Sequence, residues 1–205
     1  MGKTKNKPVI MIDFGGVYFT HANHAVGKRF SKELGIPKEE IIKAMMGTNW
    51  NEHASGKCSE LKYWKNVSKS LKISPKQAIE IKKMLYSYPE PKKDTAKLVK
   101  KLKKNYRIAV ISSHIPGWIK TLENKYKMSK EFHEMHYSYD HGIDKPSAEL
   151  FKRAVKKMSV KPHDCIVIDD YKEFLDAVKK TGAKTILFKN AKQAEKQLRK
   201  MGVEV

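Results

Sequence analysis

Four short apolar runs constrain the fold of this chain more than any other feature of its sequence. They are rich in β-branched residues, lack polar alternation and are bounded by turn residues, which is typical of parallel strands buried on both faces. The runs are Val9–Ile12, Ile108–Ile111, Cys165–Ile168 and Thr185–Phe188. Amphipathic helical stretches separate them. This alternation of strand and helix predicts an α/β fold with a doubly wound parallel sheet.

The segment between Val17 and Pro91 contains no comparable strand run and is predicted to be helical. One of its helices has a recognisable start, because Ser74 and Gln77 form a capping-box pattern with Pro75 at the first helical position. We therefore predict a core domain of residues 1–17 and 90–205 and a helical cap domain of residues 18–89. The cap would lie over the carboxyl ends of the strands, where open α/β sheets bind their ligands.

The charge of the chain indicates what kind of molecule it attracts. Lysine and arginine number 43 against 22 aspartate and glutamate residues among 205, which gives a formal net charge of +21. Such an excess attracts phosphate esters, nucleotides or larger polyanions without choosing among them. A small phosphorylated substrate is favoured as the partner, and a nucleic acid stays open as a less favoured one.

The cysteines and the opening segment bear on the cellular compartment. Cys58 and Cys165 lie far apart and have neither a disulfide-framework nor a zinc-ligand spacing, which favours a reducing cytoplasm. The opening from Met1 to Lys7 is basic, but the apolar run after it is too short for a signal peptide or a membrane span. We expect a soluble, cytoplasmic protein, and the oligomeric state is left open because there is no heptad seam.

Reactive side chains follow three of the four apolar runs directly. Asp13 follows the first, Ser112 the second, and the pair Asp169 and Asp170 the third. Lys145 stands immediately before a proline that can open the next helix. Because the carboxyl ends of parallel strands meet at one edge of a sheet, we expect these side chains to gather there.

This set of residues suits phosphoryl transfer. An ionised carboxylate can attack phosphorus and form an aspartyl-phosphate. Several carboxylates in one place repel each other unless a divalent cation lies among them, and oxygen ligands suit Mg²⁺. A serine and a lysine can then hold the oxygens of the transferring group, and such electrostatic stabilisation is usually the largest catalytic effect.

Four segments of the chain, in this order, resemble the four motifs of the haloacid dehalogenase-like (HAD) hydrolases. They are Asp13-Phe14-Gly15-Gly16-Val17, Ile111-Ser112-Ser113, Lys145-Pro146 and Ile168-Asp169-Asp170. The resemblance covers nearly the whole chain and implies a Rossmann-like core. It also implies that the helical insert is the small C1-type cap of this family.

The resemblance implies a role for each matching residue. Asp13 would be the nucleophile, with Ser112 and Lys145 acting on the phosphoryl group. The implied Mg²⁺ ligands are Asp13, Gly15, Asp169 and Asp170. The predicted substrate contacts are Ser112, Ser113, Gly16 and Lys145, together with Trp50, which lies in a predicted turn of the cap.

One position departs from the usual motif. The family's phosphatases carry a second aspartate two positions after the nucleophile, as general acid and base, and this chain has Gly15 there. A branch similar to bacterial glucose-1-phosphatases shares a departure of this kind, and the segments around Met46 and His53 resemble that branch. Histidine titrates in the useful range, so His53 is a candidate proton donor, with His21 and His114 as alternatives.

The leading hypothesis is a Mg²⁺-dependent phosphatase that acts on a small phosphorylated metabolite, such as a sugar phosphate or a nucleotide. A haloacid dehalogenase is a less favoured alternative, because that branch works without metal and the acidic pair argues against it. The third hypothesis is a HAD-fold protein with weak or no activity that binds nucleic acid or another polyanion through its basic surface. Trp50, Trp64 and Trp118 are candidates for lining a pocket, although helix packing is the favoured use of Trp64.

Overall fold

Five strands form one sheet in the computed structural model, which describes residues 7–205. The basic opening at residues 1–6 lies outside the described residues. The strands are β1 (Val9–Ile12), β2 (Ile108–Ser112), β3 (Glu134–Tyr137), β4 (Cys165–Asp169) and β5 (Lys184–Leu187). The helices are α1 (Asn23–Leu34), α2 (Lys38–Met46), α3 (Thr48–Ala54), α4 (Glu60–Leu71), α5 (Pro75–Ser87), α6 (Lys93–Lys103), α7 (Pro116–Tyr126), α8 (Ser138–His141), α9 (Ala148–Lys157), α10 (Lys172–Lys179) and α11 (Ala191–Lys200).

The sheet has the order β3-β2-β1-β4-β5, and every pair of neighbours is parallel. The predicted α/β class with a parallel sheet is therefore confirmed. β1 lies at the centre, since Ile12 pairs with Val110 of β2 on one side and with Ile168 of β4 on the other. The residue that follows β1 thus lies between the ends of β2 and β4.

The strands are apolar throughout because both faces of the sheet are covered. Alternate residues belong to two separate clusters: Ile10 and Ile12 pack on one face, and Val9 and Met11 on the other. The first face is covered by α6, α7, α11 and residues of the helices between β1 and β2. The second face is covered by α9 and α10. Two covered faces explain why no polar alternation marks these strands in the sequence.

The edge strand β3 was not predicted. Its sequence, Glu134-Met135-His136-Tyr137, has charged and polar residues where the other strands are apolar. Among the strands of residues 7–205 it pairs with β2 alone, and its first residue makes an ion pair with Arg107 just before β2. A strand at the edge of a sheet tolerates polar residues, so β3 leaves no apolar run in the sequence. The last strand was predicted one residue too late, at Thr185–Phe188.

His136 of β3 is buried without a hydrogen bond. Its side chain is 1% exposed, and neither ring nitrogen has a partner among the described residues. Burial, with the neighbouring His141 adding to its effect, lowers the pKa of His136 to about 4. The folded protein therefore keeps this ring neutral at pH values at which the unfolded chain takes up a proton.

We predict that His136→Leu reduces the sensitivity of the fold to acid. Above about pH 6.5 His136 is neutral in both the folded and the unfolded state, so it does not make the free energy of unfolding depend on pH. As the pH falls from there toward 4, only the unfolded state takes up the proton, and the free energy of unfolding falls. Between pH 7 and pH 4.5 the wild type should lose about 2 kcal/mol more of its free energy of unfolding than the variant. Urea unfolding at both pH values measures the difference. His163→Leu changes an exposed histidine and serves as the control; equal losses in wild type and His136→Leu would contradict the prediction.

The predicted helical segment after β1 contains five helices, α1 to α5. The capping box at the start of α5 is confirmed, because the Ser74 side chain accepts from the Gln77 backbone and the Gln77 side chain accepts from the Ser74 backbone. Trp64 of α4 is buried, and its indole nitrogen donates to the Tyr86 hydroxyl of α5, so it packs between helices as expected. The division into a core and a cap at residues 18–89 stays a prediction. Among residues 7–205, no helix has the length and apolar character needed to cross a membrane.

Candidate active site

The ends of the three central strands bring the predicted residues together. Asp13 follows β1, and its backbone N–H donates to the carbonyl of Ile168 at 3.0 Å, which fixes it against β4. Ser112 ends β2 and Asp169 ends β4. Because β1 lies between these strands, Asp13 lies between the two side chains.

Lys145 joins the carboxylates of the site. Its Nζ lies 2.7 Å from Oδ1 of Asp13 and 2.6 Å from Oδ2 of Asp169, and all three side chains are buried. Burial alone would lower the pKa of Lys145, but the charges of Asp13 and Asp169 outweigh it and raise that pKa above its ordinary value. The lysine is therefore held as a cation that neutralises part of the acidic cluster.

Three carboxylates form a cluster that suits a divalent cation. One oxygen each from Asp13, Asp169 and Asp170 lies within 4.8 Å of the other two. Burial raises the pKa of Asp169, Lys145 opposes this, and the nearby charge of Asp13 adds to the rise. One lysine thus does not fully balance the cluster. An all-oxygen set with excess negative charge is the donor chemistry that Mg²⁺ prefers.

The position of Lys145 is fixed from three sides. Its backbone N–H donates to the hydroxyl of Ser113 at 3.1 Å and to the carboxylate of Asp144 at 2.9 Å. Its ammonium group lies 4.8 Å from the centre of the Phe174 ring, close enough for a cation–π interaction. Phe174 is fully buried against the sheet.

The glycines after Asp13 allow the chain to turn close to the acidic cluster. Gly16 has φ +72°, and a Cβ there would lie 1.9 Å from Oδ2 of Asp170, so a side chain has no room. Gly16 does not itself line the cavity, in contrast to its predicted role as a substrate contact. Its carbonyl instead accepts a hydrogen bond from the Lys92 side chain. Gly15 does line the cavity, and a Cβ there would meet only Asp13, at 3.9 Å.

A cavity of about 520 Å³ opens above these groups. Most of the predicted site residues line it, and they come from both the predicted core and the predicted cap. They are Asp13, Gly15, Trp50, Ser112, Ser113, Lys145, Asp169 and Asp170. Trp50 belongs to α3, in the helical insert, whereas the others belong to the sheet side. The structure therefore brings together the residues that the four motifs singled out and closes the site with a helix of the insert.

His53, the predicted proton donor, is buried inside the helical insert. His53 is 4% exposed and is not among the residues that line the cavity. Its Nδ1 lies 2.8 Å from the carbonyl of Cys58, and its ring stacks on Tyr63. These contacts hold it inside the helical insert, so the structure gives no support to a catalytic role. From the sequence alone, a histidine exposed in a predicted turn cannot be distinguished from one that helix packing buries.

The other two histidines do line the cavity. Nε2 of His21 lies 3.3 Å from Oδ2 of Asp170. His114 is buried, and burial lowers its pKa to about 3 despite the hydrogen bond that its ring accepts from the backbone of Ile115. His114 is therefore an uncharged aromatic wall of the site at neutral pH, and it cannot serve there as a cationic acid.

Two further residues, which were not predicted from the sequence, shape the site. Asp144 lines the cavity and precedes Lys145, so its adjacency to the lysine motif was an available signal. Lys92 holds the Gly16 carbonyl from 76 residues away along the chain, and no local pattern could have indicated this contact.

A doubly wound parallel sheet with an aspartate after its first strand, a lysine beside it and an acidic pair after another strand defines a class of α/β hydrolytic enzymes. The model of the haloacid dehalogenase-like hydrolases matches residues 20–188, and the chain belongs to this family. The match begins after the Asp13 motif. The place of Asp13 in the site is therefore supported by the structure, in which it lies beside Lys145.

Known proteins of this family resemble the chain over part or most of its length. Glyceraldehyde 3-phosphate phosphatase of Pyrococcus furiosus is 32% identical over 49% of the chain and 42% of its own length. Flavin mononucleotide hydrolase 1 of Arabidopsis thaliana is 30% identical over 45% of the chain and 38% of its own length. The matches thus span less than half of these relatives. A HAD family enzyme of Bacteroides thetaiotaomicron, solved as a magnesium complex, has a TM-score of 0.76 at 20% identity and covers 90% of this chain and 94% of its own.

Proposed function

We propose that this protein is a Mg²⁺-dependent phosphohydrolase that acts on a small phosphorylated metabolite through an aspartyl-phosphate on Asp13. The observation that carries the proposal is the cluster of Asp13, Asp169 and Asp170 with Lys145 at the floor of a cavity. A nucleophilic carboxylate, a metal-binding acidic pair and a fixed cation are the groups that phosphoryl transfer needs.

The ligands proposed for the cation are the carboxylates of Asp13, Asp169 and Asp170 and the backbone carbonyl of Gly15. The excess negative charge of this cluster supports the assignment, since Lys145 alone does not balance it. A bound divalent cation would neutralise charge on the phosphoryl oxygens and orient the group toward Asp13.

The residues of the chain suggest a two-step reaction. A carboxylate oxygen of Asp13 attacks phosphorus, the bond from phosphorus to the ester oxygen breaks, and the alcohol leaves after taking a proton from water. Water then attacks the phosphoryl group on Asp13, which releases inorganic phosphate and restores the carboxylate. Lys145 and Ser112, both at the cavity floor, would hold the phosphoryl oxygens in both steps. Position 15 carries no acid, so we expect turnover to be slow with poor leaving groups.

The relatives support a phosphate ester as the substrate, since two of them are named for hydrolysis of a triose phosphate and of flavin mononucleotide. We propose further that residues 18–89 act as a C1-type cap that selects the leaving group. The contribution of Trp50, Met46 and Asn51 to the cavity supports this role.

Phosphate release from a panel of sugar phosphates, nucleotides and p-nitrophenyl phosphate tests the proposal. We expect turnover that is lost in EDTA and returns when Mg²⁺ is restored in excess. Hydrolysis that continues unchanged without a divalent cation would contradict the proposed metal role. No turnover of any ester by a folded protein would contradict the proposed activity.

A further inference from the structure

The lining of the cavity combines charged and aromatic residues. Its floor is charged and carries Asp13, Asp170 and Lys145. Another part of its lining is aromatic and consists of Trp50 from α3, Trp118 from α7 and His114, which lies between β2 and α7. We call these three residues the aromatic wall.

The aromatic wall is a packed unit. The rings of Trp50 and Trp118 meet edge to face at 5.8 Å, and those of His114 and Trp118 do so at 4.7 Å. Both separations lie in the range of favourable aromatic pairs. Trp50 comes from the helical insert and the other two from the sheet side, so the wall is formed where the insert packs on the sheet side.

Packing against Tyr86 also fixes the position of Trp118. Its ring stacks on Tyr86 at 5.7 Å with an angle of 10° between the planes. The Tyr86 hydroxyl donates to Glu60 at 2.8 Å, and Lys82 holds that carboxylate at 3.0 Å. These contacts give the wall a fixed shape before a ligand enters, which reduces the entropy lost on binding.

The wall begins beside the proposed phosphate site. His114 follows Ser112 by two residues, so their Cα atoms are at most about 7 Å apart. A ring joined to the phosphate through one or two atoms would therefore reach the wall. The lowered pKa of His114, about 3, keeps the wall uncharged at neutral pH.

More of the cavity surface is apolar than polar. Phe19, Met46 and Leu122 add apolar surface, and Thr20, His21, Asn23 and Asn51 add polar groups. A polyhydroxylated ring would need a partner for each hydroxyl, because a buried hydroxyl without one is costly. A flat ring with few polar atoms would instead gain contact with the wall on entering.

We infer that the leaving group of the substrate carries an aromatic or heteroaromatic ring close to the phosphate ester, and that this ring binds against Trp50, His114 and Trp118. The inference rests on the proposed function and narrows it, since it disfavours sugar phosphates. The cavity volume of about 520 Å³ is ample for such a ring.

Three esters of primary alcohols test this specificity with leaving-group chemistry held similar. Benzyl phosphate, cyclohexylmethyl phosphate and glucose 6-phosphate each carry a six-membered ring one carbon from the ester oxygen. The benzyl ring is flat and apolar, the cyclohexyl ring is puckered and apolar, and the glucose ring is puckered and hydroxylated. We expect kcat/KM for benzyl phosphate to exceed that for glucose 6-phosphate at least tenfold, with the cyclohexyl ester between them. Equal or better turnover of glucose 6-phosphate would overturn the inference and leave the phosphatase proposal standing.

Trp50→Leu keeps the wall apolar but removes one flat ring. We expect it to lower the ratio of kcat/KM for benzyl phosphate over glucose 6-phosphate by about tenfold, because the sugar ester makes little use of the ring. Tyr88→Leu removes an exposed aromatic ring that does not line the cavity and should leave the ratio unchanged. An unchanged ratio in folded Trp50→Leu would contradict the assignment.

A binding measurement separates this inference from the proposed activity. Calorimetric titration of the wild type with benzylphosphonate and with methylphosphonate, both in Mg²⁺, needs no turnover. At least tenfold tighter binding of benzylphosphonate supports the aromatic site even if no ester is hydrolysed. Equal affinities would overturn it whether or not the protein is a phosphatase.

Discussion

Replacing Asp13 by asparagine is expected to reduce Mg²⁺-dependent phosphate release by roughly 10⁴-fold or more, the scale on which loss of a nucleophile lowers turnover. An amide oxygen is a far weaker nucleophile than a carboxylate, so the aspartyl-phosphate cannot form. The substitution also removes one of the three carboxylates proposed to hold the cation. Steady-state kinetics with the best ester of the panel measures the effect.

The fold should survive this change. Asparagine has nearly the volume of aspartate, and Lys145 keeps its contact with Asp169 at 2.6 Å, so its buried charge remains paired. Asp94→Asn makes the same chemical change at an exposed side chain in the first turn of α6 and should retain full activity. An Asp13→Asn protein that keeps more than a tenth of the wild-type rate would remove Asp13 from the role of nucleophile.

Gly15→Asp is expected to raise kcat by about 10²-fold, the lower end of what a positioned general acid and base contributes. The backbone permits the substitution, since Gly15 is not among the glycines with positive φ and its Cβ would meet only Asp13, at 3.9 Å. The new carboxyl group would stand in the cavity beside the nucleophile, where it could protonate the leaving oxygen and later activate water. The gain should be largest for esters of alkyl alcohols, which leave poorly without a proton.

Gly15→Asn is the matched control for this prediction. It adds a side chain of the same size that cannot transfer a proton, so any gain from packing alone would appear in both variants. We expect the asparagine variant to be no faster than the wild type. If the aspartate variant is no faster than the asparagine variant, the missing acid at position 15 does not limit the reaction.

Much of the site was predictable because each motif is local. Asp13, Ser112, Asp169 and Asp170 directly follow or end buried strands, and a strand of β-branched residues is visible in four or five consecutive letters. Their convergence then follows from the geometry of a parallel sheet, in which carboxyl ends share one edge. The confirmed fold class rests on the same local signals.

Other features depended on segments that are distant along the chain. The edge strand β3 is recognisable only through its pairing with β2, since its own residues are mixed in polarity. His53 and His114 both occupy loops or short helices next to motif-like segments, yet helix packing buries the first inside the insert and turns the second into a wall of the cavity.

The parallel α/β core, the order of the four motifs and the carboxylates and lysine at the strand ends could be predicted from the sequence, because they depend on residue type and on neighbours along the chain. Only the folded chain shows that Lys145 bridges Asp13 and Asp169 across 132 and 24 residues, and that Trp50 contacts Trp118 at the same cavity. Such contacts depend on how helices pack on the sheet, and the many side chains that govern this packing are spread over the whole chain.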